Sequence, residues 1–473
     1  MEPENTNSGR TDVLGTAPVG KLFMRMSLPI VVSMLVNGTY NLVDAAFVTR
    51  GVGPLAMGGV ALAFPLHMLM YSAGAMLGNG AASIISRALG ARQVSAANST
   101  ALGAIVLGLA LSLLFVVVGL WLLEPILGAF GATDALRPYA RDYMMPLLLG
   151  APIVLFSTIF AELLRAEGKM GAMSGILILS TFSNIILAAL FVFVLKAGVT
   201  GVACGTLIAQ AAGLGVAVSL YLRRKTAVTL FPPQPGPTDA LKLARSLLAL
   251  GLPAFLGNGG IALTVGLANK ALSTYAPMNA DLLIGAYGVV GRIAAFVQLP
   301  LIGMMIAYQT LVGYNYGAGR FARVREVLRV GILTATVYTV ACSAVLVLFP
   351  ATLLAFFTSD PRLIAQGAAI AHIVFLGLGC AGVSIMGAAL FQALGKARPA
   401  LFLSTVKVFL VLTPLLFILP RRFGVLGIWS AFPIADLTVF AVVSVFLGRQ
   451  VLLLRQGADG ASSPSLAVKA EVG

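Results

Sequence analysis

The sequence predicts an all-α integral membrane protein in which twelve transmembrane helices form two parallel six-helix repeats, an N-lobe and a C-lobe, around a central cavity. Three observations predict this fold: a very apolar composition, a series of long apolar runs, and short motifs that recur at one interval. Of the 473 residues, 59% are hydrophobic and only 10% are charged. Soluble domains usually have about 25% charged residues, so the composition excludes a soluble fold.

Apolar runs of about 20 residues, the length that crosses a bilayer as a helix, define the predicted spans. Six lie in each half of the chain, near residues 22–48, 58–86, 98–123, 140–164, 170–195, 199–222, 246–272, 283–312, 328–350, 366–392, 399–419 and 425–448. The alternating pattern of a membrane β-barrel is absent. The 52 glycines suit helices that pack closely, so we predict a helical bundle.

Short motifs of the first half return in the second half. The pairs are RALGAR at 87–92 with NYGAGR at 315–320, RAEGKMGA at 165–172 with QALGKARPA at 392–400, and GVTGVA at 198–203 with GVLGIW at 424–429. Corresponding glycines are separated by 227, 227 and 226 residues. Internal symmetry in an apolar chain is typical of secondary transporters, and an even number of spans in each half makes the repeats parallel.

Basic residues predict the orientation, because loops rich in Lys and Arg stay in the cytoplasm. Most of them fall in even-numbered loops: Arg92, Lys169, Arg223, Arg224, Lys225, Lys242, Arg320, Arg323, Arg325, Lys396 and Arg398. We therefore expect a multi-pass protein of the inner (cytoplasmic) membrane with both termini in the cytoplasm. The net charge of +15 indicates this topology and contact with anionic lipid headgroups rather than nucleic-acid binding.

The predicted organisation has five segments. They are a cytoplasmic tail at 1–20, the N-lobe with helices 1–6 at 21–223, a cytoplasmic linker at 224–243, the C-lobe with helices 7–12 at 244–450, and a second cytoplasmic tail at 451–473. The first residues lack the basic and short apolar regions of a cleaved signal peptide. We therefore expect the first segment to be a short disordered tail.

Sequence features of enzymes and pumps are missing. The one partial match to a phosphate-binding loop, GTAPVGKL at 15–22, ends in Leu22 where Ser or Thr is required. The chain has three cysteines, an odd number, and all of them lie in apolar spans: Cys204, Cys342 and Cys380. This pattern indicates neither a disulfide framework nor a metal cluster. We expect no enzymatic activity, no cofactor and no metal, so transport must be driven by an ion gradient or by none.

Helix 1 contains a polar stripe within an apolar span. Asn37, Tyr40, Asn41 and Asp44 follow the i, i+3, i+4, i+7 spacing of one helix face. A carboxylate near the bilayer centre costs about 2.5–3.5 kcal/mol even on insertion scales, so Asp44 is a candidate functional group. Pro29 removes a backbone hydrogen bond in the same helix and predicts a hinge. The alternative is that Asp44 only pairs with another helix or caps a loop.

These residues resemble the multidrug and toxic compound extrusion (MATE) family, and most closely its DinF-like branch. The resemblance covers roughly residues 20–450. It rests on LP at 28–29 and again at 252–253, YNLVD at 40–44, ISRALGAR at 85–92, LVGYNYGAGR at 311–320, and the paired GVTG and GVLG. By this resemblance, Pro29, Tyr40 and Asp44 on helix 1 match a site completed by Asn184 on helix 5 and Thr206 on helix 6.

One expected member of that site is replaced. The second carboxylate, four residues after Asn184, is Ala188 here, which leaves Asp44 as the only acid among the matched positions. Sodium binding gains from a second negative charge, whereas proton coupling needs one group whose pKa crosses the working range. The resemblance therefore implies a coupling ion, and the substitution favours H⁺ over Na⁺.

Other ionisable groups lie within the predicted spans. Glu162 is either a second proton or cation site, or part of a gate or salt bridge with Arg165. Arg292, Lys407 and Asp436 lie in helices 8, 11 and 12. We interpret these three as a structural network in which the charges neutralise one another, with a substrate site as the alternative.

The resemblance implies a cation-coupled antiporter that exports amphipathic or cationic organic compounds by alternating access, as a monomer. Its partners are then small organic substrates and membrane lipids, without nucleic acid. One alternative is a flippase for a lipid-linked saccharide, which would favour fourteen helices and several arginines in the cavity. Another alternative is a membrane sensor or scaffold that does not transport.

Overall fold

The computed structural model describes residues 13–129, 133–230, 239–358 and 360–460. Most of the predicted N-terminal tail, the middle of the predicted linker and most of the predicted C-terminal tail therefore lie outside the described residues. Helix α7 begins at Ala240, inside the predicted linker, and the last helix continues to Gly460, beyond the predicted end of the C-lobe at 450.

Six spans form the N-lobe. They are α1 (Val19–Gly51), α2 (Pro54–Gly90), α3 (Val94–Ala129), α4 in two segments (Arg137–Leu149 and Ala151–Ala166), α5 (Met170–Ala189, extended by the π-helical turn Leu190–Val194) and α6 (Gly198–Leu222). The two segments of α4 meet at Gly150 with a bend of 58°. Pro146 and Pro152 flank this point, and Pro152 lacks the N–H that would continue the hydrogen bonds of the first segment across the bend.

Six further spans form the C-lobe. They are α7 (Ala240–Tyr275), α8 (Ala280–Gly317), α9 (Phe321–Leu348), α10 (Pro361–Val374, Phe375–Cys380 and Ala381–Ala393), α11 (Ala397–Thr405 with the π-helical stretch Val406–Leu412) and α12, which follows α11 within Thr413–Gly460. Gly424 has non-helical backbone angles, φ 55° and ψ −136°, and separates these last two spans. The described residues thus form twelve spans in two lobes, and this confirms the predicted fold class.

The repeated glycines occupy equivalent turns. Gly168 follows α4 with φ +76°, and its counterpart Gly395 follows α10 with φ +80°. Left-handed backbone just after a helix ends the helix and favours glycine, which has no Cβ. The motif recurs because both halves need the same sharp turn between their fourth and fifth spans.

The lobes share one hydrophobic core at one face of the bundle and have separate cores at the other. We define the basic face as the face of the even-numbered loops. Beside it, a single cluster combines residues of both lobes, such as Leu77, Ile159, Tyr308 and Leu390. Toward the opposite face, one cluster contains only residues 48–207 and another only residues 268–435. The bundle is therefore closed at the basic face, and its lobes separate toward the opposite face.

Glycines bring the two backbones together at the closed end. A Cβ added at Gly90 would overlap the carbonyl oxygen of Tyr314, and a Cβ added at Gly317 would overlap that of Arg87. These contacts join α2 to α8. Glycine permits such a close backbone approach because it has no side chain.

The start of the described chain also bridges the lobes. Leu14 is buried and would lie against a Cβ placed at Gly168, in the N-lobe. Its carbonyl oxygen accepts a hydrogen bond of 3.1 Å from Asn315 of α8, and the carbonyl oxygen of Ala17 accepts one from Arg323 of α9. The last residues of the predicted tail are thus packed between both lobes, which differs from a disordered tail.

Candidate functional site

A polar pair lies inside the N-lobe between α5 and α6. The amide of Asn184 donates a 2.9 Å hydrogen bond to Thr206 Oγ1, and Thr206 Oγ1 donates at 3.1 Å to the carbonyl of Val202. Both side chains are buried. The structure therefore places these two predicted site residues in direct contact.

Helix α1 places Asp44 at about the same height in the membrane as Asn184. A Cβ at Gly51 would overlap Val192 of the π-helical turn, and the rings of Phe47 and Phe193 are 5.4 Å apart. Both helices run away from the basic face. Asp44 precedes Gly51 by seven residues and Asn184 precedes Val192 by eight, so at about 1.5 Å per residue the two lie within one helical turn of each other in height.

Asp44 is partly enclosed by the protein. Its side chain is half-buried and lies in the vicinity of Tyr143, which is buried in α4. The side chains of Tyr40 and Asn41 lie outside the described part of the structure. Asn37 is half-buried on α1, and that helix continues without a break through Pro29.

One acceptor in this site has no donor. The Asn184 carbonyl oxygen is buried without a hydrogen-bond partner among the described residues. A buried acceptor left unpaired costs about 1–3 kcal/mol. A carboxylate only accepts hydrogen bonds, whereas a protonated carboxyl group donates one. The site can therefore be completed by a proton on a neighbouring carboxyl group or by a bound cation.

Ala188 excludes a second acid from this region. It is fully buried one turn beyond Asn184, and a Cβ at Gly205 of α6 would lie 3.4 Å from its backbone nitrogen. Close packing of α5 on α6 fills the space. The described residues contain no group of three His, Cys, Asp or Glu side chains that could hold a metal ion.

A second polar site joins the lobes near the basic face. Arg165 donates to Glu162 at 2.5 Å, to Asn79 at 3.1 Å and to Gln309 of α8 at 3.0 Å. Gln309 in turn donates to Gln392 of α10 at 2.7 Å. We call these five residues the Arg165 network. The pairing with Arg165 that the sequence offered as one reading of Glu162 is therefore observed, within a network that spans both lobes.

A second buried arginine, Arg87, also holds the two lobes together at the basic face. Arg87 Nη1 donates to Ser83 Oγ at 2.8 Å and, across the lobes, to the carbonyl of Ala393 at 3.2 Å. Ser83 donates to the carbonyl of Gln392 at 2.5 Å. Because these groups come from α2 and α10, opening the basic face must break all of these bonds between the lobes.

We expect Arg165→Ala to open the basic face more often. The substitution removes the hydrogen bond from Arg165 to Gln309, which joins the lobes in the closed state, and a hydrogen bond that involves a charged group contributes about 1.5–3 kcal/mol. Opening is measured by maleimide labelling of a cysteine placed at the buried Ala82, in a background without native cysteines. We expect faster labelling in Arg165→Ala.

The matched control for this substitution is Arg141→Ala. Arg141 is 3.6 Å from Glu124 in an exposed pair at the opposite face, with the two side chains 57% and 49% exposed. Exposed ion pairs contribute little to stability, so the labelling rate in Arg141→Ala should equal that of the unmodified protein. Equal acceleration in both variants would contradict a gating role for the Arg165 network.

A buried carboxylate also holds the chain that leaves α6. Glu167 accepts hydrogen bonds from Tyr221 Oη at 3.1 Å and from the backbone of Ala227 at 2.7 Å and Val228 at 3.4 Å. Burial raises the pKa of Glu167 from 4.5 to about 7, against the opposing effects of these bonds and of Lys169. The group therefore titrates near neutral pH at the basic face.

Glu167 gives the fold a defined pH dependence. A carboxyl group with a raised pKa binds more protons in the folded state, so its contribution to stability is complete below about pH 4.5 and decreases up to about pH 7. We expect the melting temperature of the purified protein to fall across this interval. Glu167→Gln should flatten that part of the profile, and an unchanged profile would contradict this assignment.

The predicted charge network of the C-lobe is only partly observed. Lys407 and Asp436 form an ion pair of 2.5 Å between α11 and α12. Arg292 of α8 is exposed and makes no ion pair with the described residues, so its inclusion in the network is wrong. Arg292 lies on the exposed face of α8 with Gly288 and Gly291, whereas the opposite face of the same turns is buried.

Known proteins with the same organisation support this description. A family model described as MatE matches residues 29–190 and 280–418. The multidrug export protein MepA of Staphylococcus aureus (strain NCTC 8325 / PS 47) is 25% identical over 431 residues, which are 91% of this chain and 94% of that protein.

Solved structures show the same fold. The outward-facing conformation of a multidrug resistance MATE family transporter of the MOP superfamily has a TM-score of 0.86 at 24% identity, over 94% of this chain and 98% of that one. A MATE structure in the bent conformation has a TM-score of 0.87 at 24% identity, over 96% and 99%. Because the family model covers more than half of the sequence and both repeats, this chain belongs to the MatE family.

Proposed function

We propose that this protein exports amphipathic or cationic organic compounds across the cytoplasmic membrane in exchange for protons. The observation that carries this proposal is the asymmetry of the lobes, which share a core and buried hydrogen bonds at the basic face and separate toward the other. A multidrug exporter needs such a state for release. The name of MepA as a multidrug export protein supports the same function.

The direction of transport follows from the charges of the loops. We place the basic face and both termini in the cytoplasm, because loops rich in Lys and Arg remain there. The state described is then closed to the cytoplasm and open to the outside. One chain contains both lobes, so a monomer is sufficient for the cycle.

The proton is the coupling ion that best fits the N-lobe site. Asp44 is the only acid that the sequence places among the site residues, and Ala188 fills the position of a second one. A protonated Asp44 supplies a donor at the height of the Asn184 oxygen, which has no donor among the described residues. In this proposal, protonation from the outside rearranges these bonds, α1 bends at Pro29, and the N-lobe cavity becomes smaller.

Coupling requires a difference in affinity between the two states. A ligand shifts a conformational equilibrium only by as much as it prefers one state. The proton must therefore bind Asp44 more tightly in the outward state without substrate. The substrate must bind more tightly when Asp44 is ionised, since opposite charges attract a cationic compound to the N-lobe.

The proposal is tested by ethidium efflux from proteoliposomes with a pH gradient and a sodium gradient imposed separately. We expect the pH gradient to drive efflux. Efflux driven only by sodium would contradict the proton as the coupling ion. No efflux under either gradient, in protein shown to be folded, would contradict drug export and favour a lipid-linked saccharide or a role without transport.

A further inference from the structure

A cavity opens at the seam between the lobes on the basic face. Its volume is about 310 Å³. It lies between α2, α3 and α7, beside the turn from α10 to α11. Its polar lining consists of the side chains of Arg87, Thr100, Lys242, Arg245 and Ser246, with the backbone of Gly395.

The charge of this cavity identifies the kind of ligand. Three cationic side chains line it, and its lining contains no acidic residue. Asp239, the nearest acid along the chain, instead caps α7 by accepting from the backbone of Leu241 and Lys242. Arg245 is exposed and forms no ion pair within the described ranges. The positive charge of such a site attracts an anion and repels a cationic compound.

The rest of the lining is apolar. Ile84, Ala88, Leu243 and Leu250 form a hydrophobic wall beside the charges, so the cavity suits a molecule with an anionic head and an apolar tail. Lys242 and Arg245 are the third and sixth residues of α7. Both precede the apolar run at 246–272 directly, which places them at the level of the lipid headgroups beside the hydrocarbon core.

We propose that this cavity binds the phosphodiester headgroup of an anionic phospholipid of the cytoplasmic leaflet, with an acyl chain along its apolar wall. Basic pockets between transmembrane helices on the cytoplasmic side are suited to such headgroups. Lys242 and Arg245 bind the phosphate from the C-lobe, and Arg87 faces it from the N-lobe. The orientation rests on the proposed function, whereas binding at this site does not require transport.

Binding at the seam favours one state of the protein. The lining comes from both lobes, and Arg87 also closes the basic face through its bond to Ala393. When the basic face opens, the two walls separate and the phosphate loses part of its ligands. The lipid therefore binds the outward state more tightly and increases its population.

The test compares lipid binding by the purified full chain in detergent, measured by native mass spectrometry and by the shift in melting temperature. We expect phosphatidylglycerol to bind at least about tenfold more tightly than phosphatidylcholine, since each cation near a headgroup contributes to binding. The double substitution of Lys242→Gln and Arg245→Gln should lower the ratio of the two affinities by about tenfold. Both residues are exposed, so their replacement leaves the core intact.

Lys21→Gln with Arg25→Gln is the matched control. These two cations are exposed in the first turns of α1 and do not line the cavity. We expect this variant to keep the preference of the unmodified protein. An equal loss in both double variants, or equal binding of the two lipids by the unmodified protein, would overturn the proposal.

A further comparison identifies the source of the phosphate. Inorganic phosphate should not reproduce the stabilisation by phosphatidylglycerol, because it cannot occupy the apolar wall. Equal stabilisation by inorganic phosphate would overturn a lipid as the ligand. This assay measures lipid binding and not transport. A negative result would therefore contradict the lipid site without contradicting the proposed export function, which ethidium efflux tests.

Discussion

Asp44→Asn is expected to abolish efflux driven by a pH gradient and to leave a folded protein. The amide keeps the size of the side chain but removes the group that gains and loses a proton. The pH gradient is then no longer coupled to substrate transport, and ethidium efflux should fall to the level of liposomes without protein. Exchange of ethidium at equal pH on both sides should persist, because this exchange needs alternating access but no coupling.

Asp142→Asn is the matched control for this prediction. Asp142 is an exposed carboxylate in the first segment of α4, so the same chemical change there should leave efflux intact. Proton-driven efflux that persists in Asp44→Asn would contradict the assignment of the coupling group. A loss of exchange together with coupling would indicate that Asp44 acts in the conformational change rather than in proton binding.

Gly90→Ala is expected to shift the protein toward the inward-open state. The added Cβ would overlap the Tyr314 carbonyl oxygen of the other lobe, so the clash exists only while the basic face is closed. Forcing an extra methyl group into a packed region costs about 1–3 kcal/mol. That cost changes the ratio of the two states by about fivefold to more than a hundredfold.

The shift is measured as a distance across the opening at the opposite face. Spin labels on cysteines at Lys196 in the N-lobe and Met278 in the C-lobe, both exposed, should come closer in Gly90→Ala. Gly215→Ala in α6 is the control, because an added Cβ there meets no atom within 4 Å. An unchanged distance distribution in folded Gly90→Ala would show that the backbones can yield without opening the lobes.

The fold could be predicted because its signals are local. Each span is a continuous apolar run, and the repeated turns contain glycines such as Gly168 and Gly395, whose left-handed backbone angles favour that residue in both halves. The bend of α4 was not predicted, although Pro146 and Pro152 flank it. Two prolines within one apolar run were the available signal.

The closure between the lobes was harder to predict. Arg165 stood out as a charge, but Asn79 and Gln309 are neutral amides that do not interrupt an apolar run. Their role depends on contacts between residues far apart along the chain, which hydropathy does not report. The repeat offered one indication, since Gln392 occupies in the second half the position of Arg165 in the first.

For the proposed coupling site, the sequence indicated which residues to consider but not their geometry. The resemblance indicated Asn184 and Thr206, and the structure shows their hydrogen bond. The resemblance could not indicate that the side-chain oxygen of Asn184 lacks a donor among the described residues, because this follows from the packing of the helices. The error for Arg292 has the same origin, because opposite charges within the spans of one lobe do not determine which side chains meet.

The glycine contact at the closed end has the symmetry of an isologous dimer interface. Gly90 meets Tyr314 and Gly317 meets Arg87, and each residue of one contact is the repeat equivalent of a residue in the other, 227 positions away. In an isologous interface the same patch is used twice around a two-fold axis. Here both patches belong to one polypeptide, so this interface can separate and re-form at a rate independent of protein concentration.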